Sequence, residues 1–102
     1  MEVRFDDDQE LDRLEVDPAF AGGWPPRVVR GFRKVMQFVR AAADERDFYA
    51  MKSLHFEKLQ GARDHQRSMR LNDQWRLIVE LEGKGGKEEK KVVVVKGIED
   101  YH

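Results

Sequence analysis

FEKLQGARDHQRSMRLNDQWRLIVEL, residues 56–81, is the stretch whose reading decides the fold. His55–Leu59 and Gln66–Leu71 are short polar–apolar segments separated by a turn-like insert, Gly61-Ala62-Arg63-Asp64. Side chains alternate along a strand, so Met69 and Leu71 share one face while Ser68 and Arg70 share the other. Asn72-Asp73 is turn punctuation. Beyond it Trp75, Leu77, Val79 and Leu81 point one way, and Arg76, Ile78, Glu80 and Glu82 the other. A hairpin is therefore predicted, with one face apolar and the other rich in arginine.

Working outward toward the C-terminus, Gly83-Lys84-Gly85-Gly86-Lys87 reads as a hairpin loop, and the charged segment 83–91 as a hairpin tip. Val92–Val95 is a continuous β-branched run, the pattern of a strand covered on both faces. Gly97 permits a bend before Ile98-Glu99-Asp100-Tyr101-His102. Toward the N-terminus, residues 27–43 predict the main helix, with Val28, Phe32, Val35, Met36, Val39, Ala42 and Ala43 on one apolar face. Trp24-Pro25-Pro26 sets up its start. A shorter helix carrying Leu11 and Leu14 is predicted to be capped by Asp6-Asp7-Asp8 and stopped by Asp17-Pro18. Val3 and Phe5 alternate as in a strand. Phe48, Tyr49, Met51 and Leu54 read as a short packed connector. The expected fold class is α+β: two N-terminal helices on a small, mostly antiparallel sheet, in the order β-α-α-β-β-β-β.

The totals agree with that economy. A chain of 102 residues with 40% hydrophobic residues and ten aromatics has room for one domain, 1–102, and one core. The absence of cysteine excludes disulfides and thiolate metal sites and makes the cytoplasm the natural compartment. No apolar run approaches the roughly 18–20 residues of a membrane span, and the acidic start is unlike a signal peptide. The net charge of −1 is unevenly spread. Residues 1–17 hold eight acids against Arg4 and Arg13, a balance of −6, so the remainder carries +5. Residues 27–43 hold five basic residues and no acid. Such a face is either solvated and compensated by its neighbours or a dock for an acidic partner.

The chemistry-bearing residues cluster around the hairpin and the tail. There is no phosphate-cradling glycine loop and no metal-ligand spacing among His55, His65 and His102, so neither metal nor cofactor is expected. What stands out is a set of Arg, Lys and His with one tyrosine: His55, Lys58, Arg70, Arg76, Tyr101 and His102. RNA cleavage without a metal needs a base for the ribose 2′-OH, cations for the charge developing on phosphate, and an acid for the leaving oxygen. Arginine suits the second task through its fixed fork of donors, histidine the first and third. Tyr101 suits stacking on a base or orienting a phosphate. Each residue also has a structural explanation. His55 could cap a strand edge, Lys58 could be plain surface, and Arg70 and Arg76 could pair with Glu80, Glu82 or the acidic helix.

KLQG at 58–61, MRLNDQWRLIVE at 69–80 and DYH at 100–102 resemble the HigB branch of the RelE/ParE superfamily, the toxins of type II toxin–antitoxin systems. The resemblance spans most of the chain, and its specific parts are Arg70, Asn72, Trp75 and Arg76 together with the Asp100-Tyr101-His102 ending. It implies a RelE-like fold and a metal-independent endoribonuclease acting on mRNA in the ribosomal A site. It also implies neutralisation by a helix-turn-helix antitoxin, operator DNA bound only through that antitoxin, and a possible dimer of toxin–antitoxin heterodimers. Carried over by position, catalytic roles fall on His55, Arg70, Arg76, Asp100, Tyr101 and His102, and RNA-phosphate binding on Lys58, Arg63 and Arg70. Two departures stand out. Gln60 precedes the turn glycine where the family usually has a basic residue, leaving Lys58 or Arg63 to substitute, and the sequence pI is near 6.3 where members are typically basic. Two rival expectations follow: a ParE-like inhibitor of DNA gyrase that cleaves nothing, or an inactive relative that binds its antitoxin.

Overall fold

The computed structural model describes residues 1–83 and 91–101. The chain runs β1 (Glu2–Phe5), α1 (Leu11–Val16), α2 (Pro26–Ala41), α3 (Arg46–Ala50), β2 (Glu57–Lys58), β3 (Gln66–Arg70), β4 (Trp75–Gly83) and β5 (Lys91–Asp100), with single 3-10 turns at Lys52–Leu54 and Gly61–Arg63. The five strands form one mixed sheet in the order β1-β5-β4-β3-β2. β1 lies parallel to β5 and every other pairing is antiparallel.

The apolar face of α2, formed by Val28, Val29, Phe32, Val35, Met36 and Val39, is buried in one cluster with Met69, Leu77, Val79, Val93, Val95 and Ile98 of the sheet. Pro26 opens α2, where a missing N–H costs nothing. The amino group of Met1 donates to the carbonyls of Val39, Arg40 and Ala42 at 2.7–3.0 Å, satisfying acceptors that a helix end leaves unpaired. At α1 the capping expected of three aspartates falls to Asp7, whose carboxylate accepts from the Gln9 and Leu11 amides at 2.9 and 3.2 Å. Asp6 reaches Lys96 instead, at 2.6 Å.

The basic face of α2 is largely compensated. Arg33 donates to the carbonyls of Leu14, Asp17 and Phe20 at 2.9–3.1 Å, closing the C-terminal end of α1. Arg40 forks onto Glu15 at 2.7 and 2.8 Å, and Arg27 meets Asp73 at 3.0 Å. The acidic and basic halves of the sequence thus neutralise each other within the fold.

Three sequence boundaries shift. The helix expected over 27–43 ends at Ala41, and the connector after it contains α3, which buries Phe48 but leaves Tyr49 and Met51 exposed. The strand expected over His55–Leu59 pairs only at Glu57 and Lys58, because left-handed backbone at His55 (φ 48°) and Gly61 (φ 68°) turns the chain on both sides. The hairpin tip expected at 83–91 falls mostly on 84–90, outside the described residues, although Gly83 and Lys91 face each other across β4 and β5.

Two features of the sheet position the site. Val92–Val95 are all buried because β5 lies between β1 and β4. The register between β4 and β5 then shifts: Ile78 faces Gly97 while the next residue, Val79, faces Val95. Lys96 is the extra residue of this bulge, and Gln9 fastens the backbone just beyond it, its side-chain oxygen accepting from the Ile98 amide at 2.8 Å. The extra residue inverts the alternation, so that Ile98 joins Val93 and Val95 in the core while Glu99 turns to the opposite face beside Arg76, its partner on β4.

Candidate functional site

The face of the sheet away from α2 carries Ser68 and Arg70 on β3, Arg76 on β4 and Glu99 on β5. Two adjoining hollows open there. The first, about 350 Å³, is lined by Glu57, Lys58, Leu59, Gln60, Arg63, Ser68 and Arg76. The second, about 280 Å³, is lined by His55, Glu57, Arg70, Asp73 and Tyr101. Glu57 belongs to both, and the Arg76 guanidinium lies 5.4 Å from the centre of the Tyr101 ring, a cation–π contact that joins them.

Arg70 and Arg76 face each other directly across β3 and β4. Like charges in that position are destabilising by a few tenths of a kcal/mol to about 1 kcal/mol, a cost that an anion between them would remove. Arg70 is steadied by donating from Nε to the Asn72 carbonyl at 3.1 Å. Arg76 is mostly enclosed, with its side chain 20% exposed and one guanidinium nitrogen 3.7 Å from Glu99. Its buried Nε–H has no hydrogen-bond partner. The Nε–H of Arg67 is buried without a partner in the same way.

The tail is held by the turn between β3 and β4. Asn72 accepts from the Gln74 and Trp75 amides at 2.9 and 2.8 Å. Gln74 in turn holds both tail residues: its side chain donates to the Asp100 carboxylate at 3.0 Å, and its carbonyl accepts from the Tyr101 amide at 2.9 Å. Burial is the main cause raising the Tyr101 phenol above its ordinary value. Glu57 adds to the rise, while Arg70 and Arg76 oppose it. The phenol is therefore neutral at physiological pH.

The residues singled out from the sequence are distributed as follows. His55, Arg70 and Tyr101 meet in the second hollow, and Lys58, Arg63 and Arg76 in the first. His55 adopts left-handed backbone and sets Nδ1 4.0 Å from Glu57. Asp100 lines neither hollow and anchors the tail to Gln74. His102 lies outside the described residues. Arg63 is engaged, donating to both oxygens of Glu99 at 3.0 and 2.7 Å and to Gln66 at 3.0 Å. Among the described residues, no group of three or more His, Cys, Asp or Glu side chains is placed to hold a metal ion. No helix among them is long and apolar enough to cross a membrane.

No protein-family model matches this sequence, and no curated protein does. Among solved structures, a YoeB/ParE toxin from Agrobacterium tumefaciens matches over 100% of both chains with a TM-score of 0.54 and 15% sequence identity. The chain shares the fold of that protein. At that identity the likeness is one of architecture: a five-stranded mixed sheet with a few helices.

Four residues of this face carry no signal in the sequence reading. Glu57 is a lone acid in a polar segment, yet the pairing of β2 with β3 puts it between the two hollows. Ser68 is buried although it lies on the face away from α2. Glu99 turns outward through the bulge, and Gln74 holds the tail only because the β3–β4 turn meets the end of β5. The polar run Asn72-Asp73-Gln74 was a local clue to a turn, not to what the turn would hold.

Proposed function

We propose that this chain is the toxin of a type II toxin–antitoxin pair and acts as a metal-independent endoribonuclease on mRNA in the ribosomal A site. The observation that carries the proposal is the opposed Arg70–Arg76 pair, each lining one of two adjoining hollows, with Tyr101 against the Arg76 guanidinium. A phosphodiester between the two arginines would gain charge stabilisation as its oxygens become more negative in the transition state. His55, in the adjoining hollow, would give or take the proton of the reaction, and the Tyr101 phenol would supply a donor or a stacking surface. His102 would be a second proton carrier, Asp100 would hold the tail in place, and Lys58 with Arg63 would hold neighbouring phosphates.

The likeness to a YoeB/ParE toxin supports a toxin reading at the level of fold. A helix-turn-helix antitoxin would be its partner, operator DNA would be reached only through that antitoxin, and a dimer of heterodimers is the expected complex. The alternatives are a ParE-like gyrase inhibitor and an inactive relative retained through its antitoxin.

Expression without antitoxin is expected to arrest growth, with mRNA cut on translating ribosomes. Arg76→Ala is expected to lower the cleavage rate by about 10²–10³-fold, the usual effect of removing one donor to a developing oxyanion. Removing residues 100–102 is expected to relieve arrest while circular dichroism remains that of the folded protein. If both variants arrest growth as fully as the parent, these residues are not the site. Lost supercoiling with intact mRNA would establish the gyrase alternative, and harmless accumulation of the parent the inactive one.

A further inference from the structure

The first hollow has an anion already beside it. Glu99 lays both carboxylate oxygens against the Arg63 guanidinium, at 3.0 and 2.7 Å, and holds one of them 3.7 Å from Arg76. Two arginines converging on one carboxylate, next to a hollow that also carries Lys58 and Ser68, is an arrangement suited to a phosphate. We propose that Glu99 is an internal counter-ion occupying the anion seat between Arg63 and Arg76, and that a nucleic-acid phosphate takes this seat by displacing it. Glu99 thereby sets the strength of nucleic-acid binding. The inference rests on the reading above that this face receives RNA, and it adds what competes with the RNA there.

Three observations favour exchange over a permanent staple. The Arg63 and Glu99 side chains are 43% and 40% exposed, so water already screens the pair and little is lost when it opens. Glu99 engages the seat unevenly, hydrogen-bonded to Arg63 but standing 3.7 Å from the nearest Arg76 nitrogen, beyond hydrogen-bond distance, whereas the tetrahedral oxygens of a phosphate diverge enough to serve two guanidinium groups. Finally, neither Lys58 nor Arg70 has a carboxylate within 4 Å among the described residues, so two further cations stand beside the seat, with Glu57 the acid shared by both hollows.

The exchange needs no proton. Hydrogen bonding from Arg63 is the main cause holding the Glu99 carboxyl below the usual carboxylate range, with Arg76 contributing less, so Glu99 is ionised whenever RNA is present at neutral pH. Displacement leaves a negative group beside the incoming phosphate, which is the source of the selectivity. A single weak anion gains too little to evict Glu99, whereas a polynucleotide held also by Arg70 and Lys58 gains enough.

The test uses the full chain and a fluorescent 2′-O-methyl oligouridylate, which lacks the 2′-OH nucleophile and needs no ribosome, with binding followed by anisotropy between 50 and 200 mM salt. Glu99→Gln is expected to bind about tenfold tighter, because the phosphate no longer has to displace a carboxylate, with the slope of log K against log salt little changed, because the same phosphates are held in both proteins. In an Arg63→Ala background the same substitution is still expected to tighten binding, because Arg76 is released from a neighbouring negative charge. Equal or weaker binding of E99Q in both backgrounds, with unchanged circular dichroism, would make Glu99 a staple for the Gly61–Arg63 turn and overturn the proposal. Failure of the nuclease reading looks different: the parent protein then leaves mRNA uncut on ribosomes, whatever E99Q does to oligonucleotide binding.

Discussion

Tyr101 shows how one side chain acquires a role from its neighbours. A tyrosine near a chain end is unremarkable in sequence, yet burial and Glu57 raise its phenol above the ordinary value while Arg70 and Arg76 pull it back. The balance is testable. With Tyr49 replaced by phenylalanine, phenolate absorbance reports Tyr101 alone, and its midpoint is expected above 10. Glu57→Gln removes a negative neighbour and is expected to lower that midpoint, whereas Arg76→Ala removes a positive one and is expected to raise it further. Shifts in the opposite directions would mean that Tyr101 does not lie between these charges. The same scale explains why the pairing of Arg63 with Glu99 was not legible. Thirty-six positions separate the two residues, and no local pattern couples them.

Among the elements, α2 was the most legible, and the β3–β4 turn was legible as a turn through Asn72-Asp73. The apolar spacing of α2 follows from helix geometry, and Val28, Phe32, Val35, Met36 and Val39 are buried as that spacing requires. What periodicity does not reveal is how closely the helix approaches the turn. A Cβ placed on Gly31 would lie 2.5 Å from the Leu71 carbonyl oxygen, well inside contact distance and against backbone that has little freedom to withdraw. Alanine favours an exposed helix over glycine by about 1 kcal/mol, so the sign of Gly31→Ala depends on which effect wins. The clash with backbone decides it, and a net loss of about 1–3 kcal/mol is expected in urea unfolding. An unchanged or higher midpoint would show that α2 and the turn have room to separate. Because Leu71 is followed directly by the turn that holds Tyr101 through Gln74, the same variant is expected to blunt activity as well.

For the whole molecule, the dominant electrostatic fact is mutual neutralisation. Two acids of the start of the chain are tied to bases of the remainder, Asp6 with Lys96 and Glu15 with Arg40, while Arg4 pairs the other way with Glu82. Asp6 and Glu99 sit below their ordinary pKa through Lys96 and Arg63, and Asp44 is drawn down to about 2 by Arg46. These are depressed carboxylates. Their stabilisation is fully present above the unfolded values near 4 and is lost as pH falls through the lower folded values. Lys96 is raised by Asp6, so its share is present below its ordinary value of 10.5 and is lost as pH rises through the folded one. Urea midpoints are therefore expected to be highest between about pH 5 and 9 and to fall on both sides. Asp6→Asn is expected to flatten both flanks slightly, since one pair feeds each. These pairs are exposed, so each effect is small. A midpoint that rises on acidification below pH 4 would contradict the scheme.

The sequence by itself determined the elements and their faces wherever the cause is local. Period-two alternation from Trp75 to Leu81, the β-branched run of Val92–Val95 and the helical spacing of residues 28–39 each encode which side is buried, because backbone geometry alone sets where successive side chains point. Arg70 and Arg76 could therefore be put on one face of one hairpin, and their facing positions in the sheet agree with that reading. Tertiary structure decided the rest. The alternation that buries Val93 and Val95, continued without interruption, would turn Glu99 and Tyr101 toward α2. The extra residue at Lys96, fastened by Gln9 from the other end of the chain, turns both to the face of the arginines. Where that bulge falls depends on the pairing of β4 with β5 and on a hydrogen bond spanning 89 positions, and neither has a counterpart in local spacing.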